Sequence, residues 1–270
     1  MRADLHAHTT YSDGSPLPAM CRAAERAGLD AVGFTDHCIA VGDDFGRRER
    51  YDLTETYERR REAIERMRPR TDITVWDAAE VSYVADAEAE TAELLAAADF
   101  EYAIGSVHFA GPYDYTSPGQ YVDASEETRR AAVERYFDAV VAAVESGLFD
   151  VLGHLDLPER MAPLRGYSRE EDYERVAAAL ADSETVPEIN AGRVHESLGR
   201  VHPDPAMLDA FLDRDVAFVL GSDSHAPAEI ENRVPELRSV ADEHGIDPLP
   251  ADRILTGRAG ASETESAPSR

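Results

Sequence analysis

RADLHAH, residues 2–8, carries the reading of the fold: a short apolar strand pattern closing on two histidines. A helical segment follows over 16–28, and then DAVGFTDH, 30–37, repeats the form. Five further runs continue the rhythm: DITVWDAAEV (72–81), EYAIGSVH (101–108), DVLGHLD (150–156), TVPEINA (185–191) and VAFVLGSDSH (216–225). Between them lie stretches of helical period at 54–68, 86–98, 125–146, 168–182, 204–214 and 228–244. In the longest of these, Val133, Phe137, Val140, Val141 and Val144 recur at three- and four-residue steps and mark one buried face. Ser168 with Glu171 reads as a capping box opening the helix at 168. Strands alternating with helices specify βα units and a parallel α/β sheet. Seven units without a flexible linker predict one domain over 1–257, most simply a closed barrel, with an open doubly wound sheet as the alternative. The small, polar segment 258–270 is expected to be a disordered tail.

Composition narrows the chemistry. Asp and Glu number 54 against 27 basic residues, a net charge of −27, and the chain contains no lysine, so every basic side chain is an arginine. That excludes Schiff-base, P-loop and kinase-type lysines. Clustered basic charge of the kind phosphate backbones demand is missing: the runs at Arg47–Arg50 and Arg59–Arg61 sit among acids, so nucleic acid is not expected as a partner. Hydrophobic residues at 43% are those of a globular chain, so the acidity does not signal disorder. Cys21 and Cys38 make no disulfide framework and suit a reducing compartment. With no apolar leader or membrane-length run, the expectation is a soluble cytoplasmic protein. Dense carboxylates with arginine in place of lysine would suit a halophilic, salt-rich cytoplasm, where self-repulsion is screened.

Six of the nine histidines fall at strand ends: His6 and His8, His37, His108, His154 and His225. Glu80 takes the corresponding place after the third strand, and Asp223 precedes His225 by two residues. In a parallel barrel those ends share one face. His6 and His8, two apart on a strand, point the same way. Imidazole and carboxylate donors suit Zn, Mn or Fe. His202 and His244 lie outside this pattern, and Cys38 reads as a small packing residue.

DLHAHTTYSDGS, FTDH, the Glu of DAAEV, GSVH, GHLD and GSDSH, in that order, resemble the motifs of the PHP (polymerase and histidinol phosphatase) superfamily over residues 4 to about 230. ESGLFDVLGHLDLPER (145–160), EINAG (188–192) and LGSDSHAPAEI (220–230) are similar to its histidinol-phosphatase branch in particular. The resemblance implies a distorted seven-stranded (β/α) barrel, TIM-barrel-like, holding two to three divalent metal ions. It places His6, His8, Glu80 and Asp223 on one ion, and has Glu80 bridge to a second completed by His108 and His154. Asp13, His37 and His225 fall to the third. It further implies a metal-dependent phosphatase acting on a small phosphorylated substrate, histidinol phosphate in histidine biosynthesis, with no catalytic residue required outside the metal site. A PHP phosphoesterase for nucleotides or other phosphomonoesters, or a polymerase-associated PHP module, are the competing readings. Adjacent dications suit phosphate hydrolysis, because they make hydroxide available near neutral pH and neutralise the phosphoryl oxygens.

One part of the branch pattern is missing. A basic residue is expected soon after EIN to contact phosphate, but NAGRVHESLGR offers Arg193, His195 and Arg200 without a clear alignment. Arg193 is the first choice, since a guanidinium matches phosphate bidentately, and His195 the second. Asp156 is a candidate to orient His154 or simply to cap its strand end. Tyr113, Tyr115 and Tyr121 are candidate walls of the substrate pocket.

Overall fold

The computed structural model describes residues 1–41, 53 and 56–255. The start of the helix expected at 54–68, the Arg47–Arg50 run and the tail at 258–270 therefore lie at least partly outside the described residues.

Each expected βα unit is present, with shorter strands than the apolar runs suggest. The strands are β1 (Ala3–Ala7), β2 (Ala31–Phe34), β3 (His37–Cys38), β4 (Thr74–Asp77), β5 (Ala79–Ser82) and β6 (Ala103–Ser106), followed by β7 (Phe109–Ala110), β8 (Tyr113–Asp114), β9 (Val151–Leu152), β10 (Val186–Asn190) and β11 (Val219–Gly221). The helices are α1 (Leu17–Arg26), α2 (Tyr57–Met67), α3 (Glu88–Ala98), α4 (Glu126–Glu145), α5 (Leu157–Arg160), α6 (Glu170–Ala181), α7 (Pro205–Leu212) and α8 (Pro227–His244). Two of the seven expected strands are interrupted: 31–38 breaks into β2 and β3, and 74–82 into β4 and β5. The β7–β8 hairpin and the short α5 carry no period long enough to read in the sequence.

Among the described residues the ladders form a three-stranded sheet, β1-β2-β4, a six-stranded sheet, β11-β10-β9-β6-β5-β3, and the β7–β8 hairpin. All strand pairings outside the hairpin are parallel, and a single antiparallel bridge joins Asn190 of β10 to His202 among the described residues. The architecture is thus a parallel α/β sheet system, and the single closed seven-stranded ladder expected from the sequence is not what the hydrogen bonds describe.

Helix α4 buries Val133, Phe137, Val140 and Val144 as its spacing foretells, and Val141 lies half-buried at the edge of the same face. Its N-cap is Ser125, whose hydroxyl accepts from the Thr128 amide. Helix α6 starts later than Ser168 and Glu171 suggest: Asp172 accepts from the Arg169 amide, while the Ser168 hydroxyl donates to Glu159. Cys38 is wholly buried in the main core, and neither cysteine forms a disulfide. Burial pushes the Cys21 thiol up to about 12, where it is inert. Tyr115 and Tyr121 are core residues as well, with hydroxyls bonded to the carbonyls of Ala132 and Asp114. Both are buried in the core instead of walling an open pocket as expected, and of the three tyrosines only Tyr113 is half-buried. No described helix is long and apolar enough to cross a membrane.

Candidate metal centre

The strand ends bring their polar residues into one buried cluster centred on Glu80. Its Oε2 lies 2.7 Å from His37 Nδ1, 3.5 Å from His6 Nε2 and 3.6 Å from His8 Nε2. Its Oε1 lies 2.8 Å from His154 Nε2 and 3.4 Å from His108 Nε2, and accepts from the Ser106 hydroxyl at 2.6 Å. Asp223 Oδ1 stands 3.5 Å from His8 Nε2 and 3.9 Å from His6 Nε2. Asp13 Oδ1 faces His225 Nε2 at 3.2 Å, His37 Nε2 at 3.7 Å and His8 Nδ1 at 4.0 Å. All nine residues singled out as ligands therefore meet in one place, although 219 positions separate the first from the last.

The groupings differ in detail from those the sequence resemblance implies. Donor atoms close enough to share an ion come from His6, His8 and Glu80, from His37, Glu80 and His108, and from His8, Asp13, His37 and His225. His37 stands between Glu80 and Asp13, one ring nitrogen toward each. His154, which touches Glu80, and Asp223, which faces His6 and His8, lie outside all three groups.

The cluster fits cations on its own chemistry. His6 Nε2 and His8 Nε2 are buried there without a hydrogen-bond partner, and the buried Glu80 Oε2 and Asp13 Oδ1 meet imidazole nitrogens. Four such atoms converging in one interior would be costly unless something completes them. The backbone is bent to the same end: His154 and Asp223 have φ of +29° and +53°, a region that side chains other than glycine seldom adopt.

A second layer fixes the rings. Glu188 on β10, fully buried, meets His6 Nδ1 at 2.9 Å and so leaves Nε2 facing the cluster. A side chain at Gly221 would collide with this carboxylate and with His6, so glycine is required there. Ser82 meets His108 Nδ1 at 2.8 Å, and His225 Nδ1 donates to its neighbour Asp223's carbonyl at 3.1 Å. Asp36 gathers the Thr9 amide, the Thr9 hydroxyl and the Ser12 hydroxyl, each at 2.7 Å, which holds the loop beside His8. The fully buried Arg60 donates to Asp36 at 3.1 Å and to Asp77 at 2.6 Å, and it ties together the two interrupted strands.

Electrostatics follow from this crowding. Burial by itself would raise Glu80, but His37, His6 and His108 outweigh it and hold its carboxyl well below the usual range. Asp223 is held down in the same way by His6, His8 and Arg160. Burial would lower His6 and His37, yet the carboxylates of Glu188 and Glu80 at the first, and of Glu80 and Asp13 at the second, push both up. His225 rises to about 9 against its burial, through Asp13 and Asp223. His8 falls to about 4, from burial and then from His225 and His37 beside it.

Arg193 and His195, the basic residues expected to contact substrate, follow Gly192 in the chain, whose own place is beside the cluster. Arg193 and His195 are exposed, and Arg193 has Glu196 as its charged neighbour at 3.8 Å. Arg200 turns to Asp204 at 2.7 Å. The guanidinium at the cluster is Arg160, the last residue of α5, whose NH2 lies 3.4 Å from Asp223 Oδ2. A Cβ at Gly192 would intrude on both of these groups, so that glycine keeps the space between them open. Arg160 closes the DLPER segment after GHLD, and its four-residue helix gives no periodic signal that would single it out. Asp156 bonds to His202 Nδ1, not to His154, so its role as an orienter of His154 is corrected. His202 itself is fully buried beside the site.

Comparison with known proteins agrees with this geometry. A model of the PHP domain matches residues 4–191. A Deinococcus radiodurans protein, whose curated name is probable histidinol-phosphatase, is 29% identical over 251 residues, spanning 88% of this chain and 93% of that protein. In structure, the chain is similar to the histidinol phosphate phosphatase of Lactococcus lactis solved with zinc, L-histidinol and phosphate, with a TM-score of 0.73 and 22% identity over 92% of this chain and 95% of that one. A chain of an archaeal ribonuclease P bound to mature tRNA shares the fold more loosely, at a TM-score of 0.52 and 9% identity over 98% and 95% of the two chains. The fold alone therefore does not fix what a protein does. The family match over most of the chain, together with strand-end histidines and acids converging on one buried centre, places this protein in the PHP domain family.

Proposed function

We propose that this protein is a metal-dependent phosphomonoesterase, and that its substrate is L-histidinol phosphate, hydrolysed to L-histidinol and inorganic phosphate as a step of cytoplasmic histidine biosynthesis. The observation that carries the hydrolase reading is the set of buried imidazole and carboxylate donor atoms converging on Glu80 beside a half-open guanidinium. The likeness of nearly the whole chain to the Deinococcus protein supports the substrate. We read residues 1–257 as one domain, its two sheets being halves of one distorted seven-stranded barrel. The runs 31–38 and 74–82 pass from one sheet to the other, the Ala7–Ser224 bridge joins β1 to the end of β11, and the Tyr102 hydroxyl, just before β6, reaches across to the Leu5 carbonyl at 2.6 Å.

Two or three ions of Zn, Mn or Fe would be held by His6, His8, Asp13, His37, Glu80, His108, His154, Asp223 and His225. When bound, such ions supply a hydroxide nucleophile near neutral pH and neutralise the phosphoryl oxygens. In the reaction a bond forms between the water oxygen and phosphorus, the bond from phosphorus to the substrate's ester oxygen breaks, and that oxygen takes a proton. The chain's own part is to fix these groups. Glu188, Ser82 and the Asp223 carbonyl set the ring tautomers of His6, His108 and His225. Arg160 presents a planar, permanently charged donor pair to the phosphoryl group, which a chain of net charge −27 would otherwise repel.

A phosphate-release screen of the metal-loaded protein tests this, with histidinol phosphate beside nucleoside monophosphates, sugar phosphates and an aryl phosphate. A kcat/KM for histidinol phosphate at least about a hundredfold above the aryl ester is expected, because a site that pairs polar substrate groups discriminates on that scale. Equal rates would point to a general phosphoesterase.

A further inference from the structure

We infer that the buried Asp156–His202 pair is the device that aims Arg160, making His202 a positioning residue for the substrate's phosphate; this rests on the phosphatase reading above. Asp156 and His202 are both fully buried, and Asp156 Oδ1 bonds to His202 Nδ1. The other Asp156 oxygen is already engaged: it accepts from the Asp204 amide at 2.8 Å and lies 3.7 Å from Arg200. An arginine N–H can only donate, so the His202 nitrogen facing Arg160, Nε2, is the acceptor, and the ring proton sits on Nδ1, where Asp156 accepts it. The lone pair is then on Nε2, and Arg160 Nε donates to it at 3.2 Å.

The rest of the guanidinium is held more loosely. NH2 approaches Asn190 Oδ1 at 3.4 Å, the Gly192 carbonyl at 3.5 Å and Asp223 Oδ2 at 3.4 Å, all at the long end of hydrogen bonding. His202 is fixed in turn by a reciprocal backbone pair with Asn190, at 2.8 and 3.0 Å. One edge of Arg160 is therefore anchored to a rigid acceptor, while the NH2 edge facing the cluster keeps weak contacts that a phosphoryl oxygen can replace. That division is what a phosphate clamp needs: preorganised, yet with donors to spare. Without the acceptor, an arginine beside Asp223 would settle onto that carboxylate instead.

The test separates the two sides of the ring. His202→Gln keeps an acceptor near Nε2, His202→Asn keeps only the side facing Asp156, and Arg160→Met removes the guanidinium. Each is made in the metal-loaded protein, alone and as the double variant His202→Asn with Arg160→Met. Inorganic phosphate is the probe, by calorimetric binding and as an inhibitor, with metal content and melting temperature read in parallel. His202→Asn is expected to weaken phosphate binding and raise KM by roughly tenfold or more with a full metal complement, since small misplacements of a positioning group cost on that scale. His202→Gln should recover most of the loss, and His202→Asn should cost nothing further once Arg160 is gone. Independent, multiplying effects in the double variant, or unchanged phosphate binding in His202→Asn, would overturn the inference. If His202→Asn fails to fold, His202→Ala is set against His202→Gln: weaker phosphate binding in the Ala variant than in the Gln variant would uphold the inference, and equal binding in the two would overturn it. A wild-type protein that neither binds phosphate nor hydrolyses any phosphomonoester would instead refute the phosphatase reading itself.

Discussion

Glu80→Gln is the substitution that strikes the proposed metal centre hardest, and its size can be worked from the geometry. The two Glu80 oxygens stand within 2.7–3.6 Å of five imidazoles, and they split them into His6, His8 and His37 on one side and His108 and His154 on the other. No other carboxylate in the cluster faces both sides. A carboxylate can join two cations because its oxygens are close together, whereas the nitrogens of an imidazole point apart. Gln keeps the shape and removes the charge. Changes one shell further out already cost 10–100-fold in metal affinity or activity. Loss of a bridging charge should therefore cost at least about a hundredfold, or about 2.7 kcal/mol at 1.36 kcal/mol per decade. At least one ion per chain should be lost, and turnover should fall by a similar factor. The metal-free protein gives a second reading. Because the folded Glu80 carboxyl lies well below its ordinary 4.5, the stability it contributes is present above that value and fades as pH falls through the folded one. Metal-free Glu80→Gln should thus melt below metal-free wild type at pH 7, and the gap should narrow only below pH 4.5. The histidines can shed protons when their anion is removed, which caps that gap well under the Coulomb energy of the contacts. Glu93→Gln, exposed on α3, is the control; Glu88 on the same helix is a poorer one, since Tyr83 donates to it at 2.7 Å. Elemental analysis and steady-state kinetics on the two variants decide. Near-normal metal content and turnover in Glu80→Gln would mean the bridge is elsewhere.

Purified protein should carry roughly two to three transition-metal ions, and His6→Ala with His8→Ala should abolish activity while leaving the far-ultraviolet circular dichroism intact; less than one ion after reconstitution with Mn or Zn would refute the ligand set. Metal binding at pH 7 should release protons, because His6, His37 and His225 are pushed upward, His225 to about 9, and must give up a proton to coordinate. Calorimetry in buffers of different ionisation enthalpy reads that release, and a heat independent of buffer would contradict it. If the acidic surface is an adaptation to salt, the protein should stay folded in molar KCl and lose its melting transition at low ionic strength, where 54 acids repel unscreened.

How far the sequence could be read depended on whether a residue's role is written in local period or in tertiary geometry. Strand-end histidines are local: each closes an apolar run, so the sequence by itself assigns His6, His37, His108, His154 and His225 to a common face. The longer helices are legible for the same reason, and their observed ends lie within three residues of the periodic segments. What local pattern does not show are contacts made across the fold rather than along the chain. Asp156 lies two residues from His154, but the backbone turns sharply there, with His154 at φ +29°, and the carboxylate reaches His202 instead. Arg193 is near EIN in sequence, yet it sits at φ +60° on an exposed turn, while Arg160 arrives from another unit. Tyr115 and Tyr121 look like loop tyrosines because their hairpin has strands of two residues; tertiary packing makes them core.

The same contrast explains how so acidic a chain can hold its anionic substrate. Its excess carboxylates are spread over the exposed faces of helices, where solvent screens them. The four inside the centre, Asp13, Glu80, Asp223 and the adjoining Glu188, are each matched by imidazoles. A dication bound there changes the local balance by two charges within a low-dielectric interior, where each counts for several times its value at the surface. Arg160 adds a charge that cannot be titrated away. The sign of the field at the site is thus set by a few buried groups at short range, and the net charge of −27 acts mainly on solubility and on the approach of the substrate. Raising ionic strength should therefore lower KM for the phosphomonoester, by screening that long-range repulsion, while leaving kcat nearly unchanged. A KM that rises with salt at constant metal content would mean that the external field attracts the substrate, and would place more positive charge around the mouth than Arg160 alone provides.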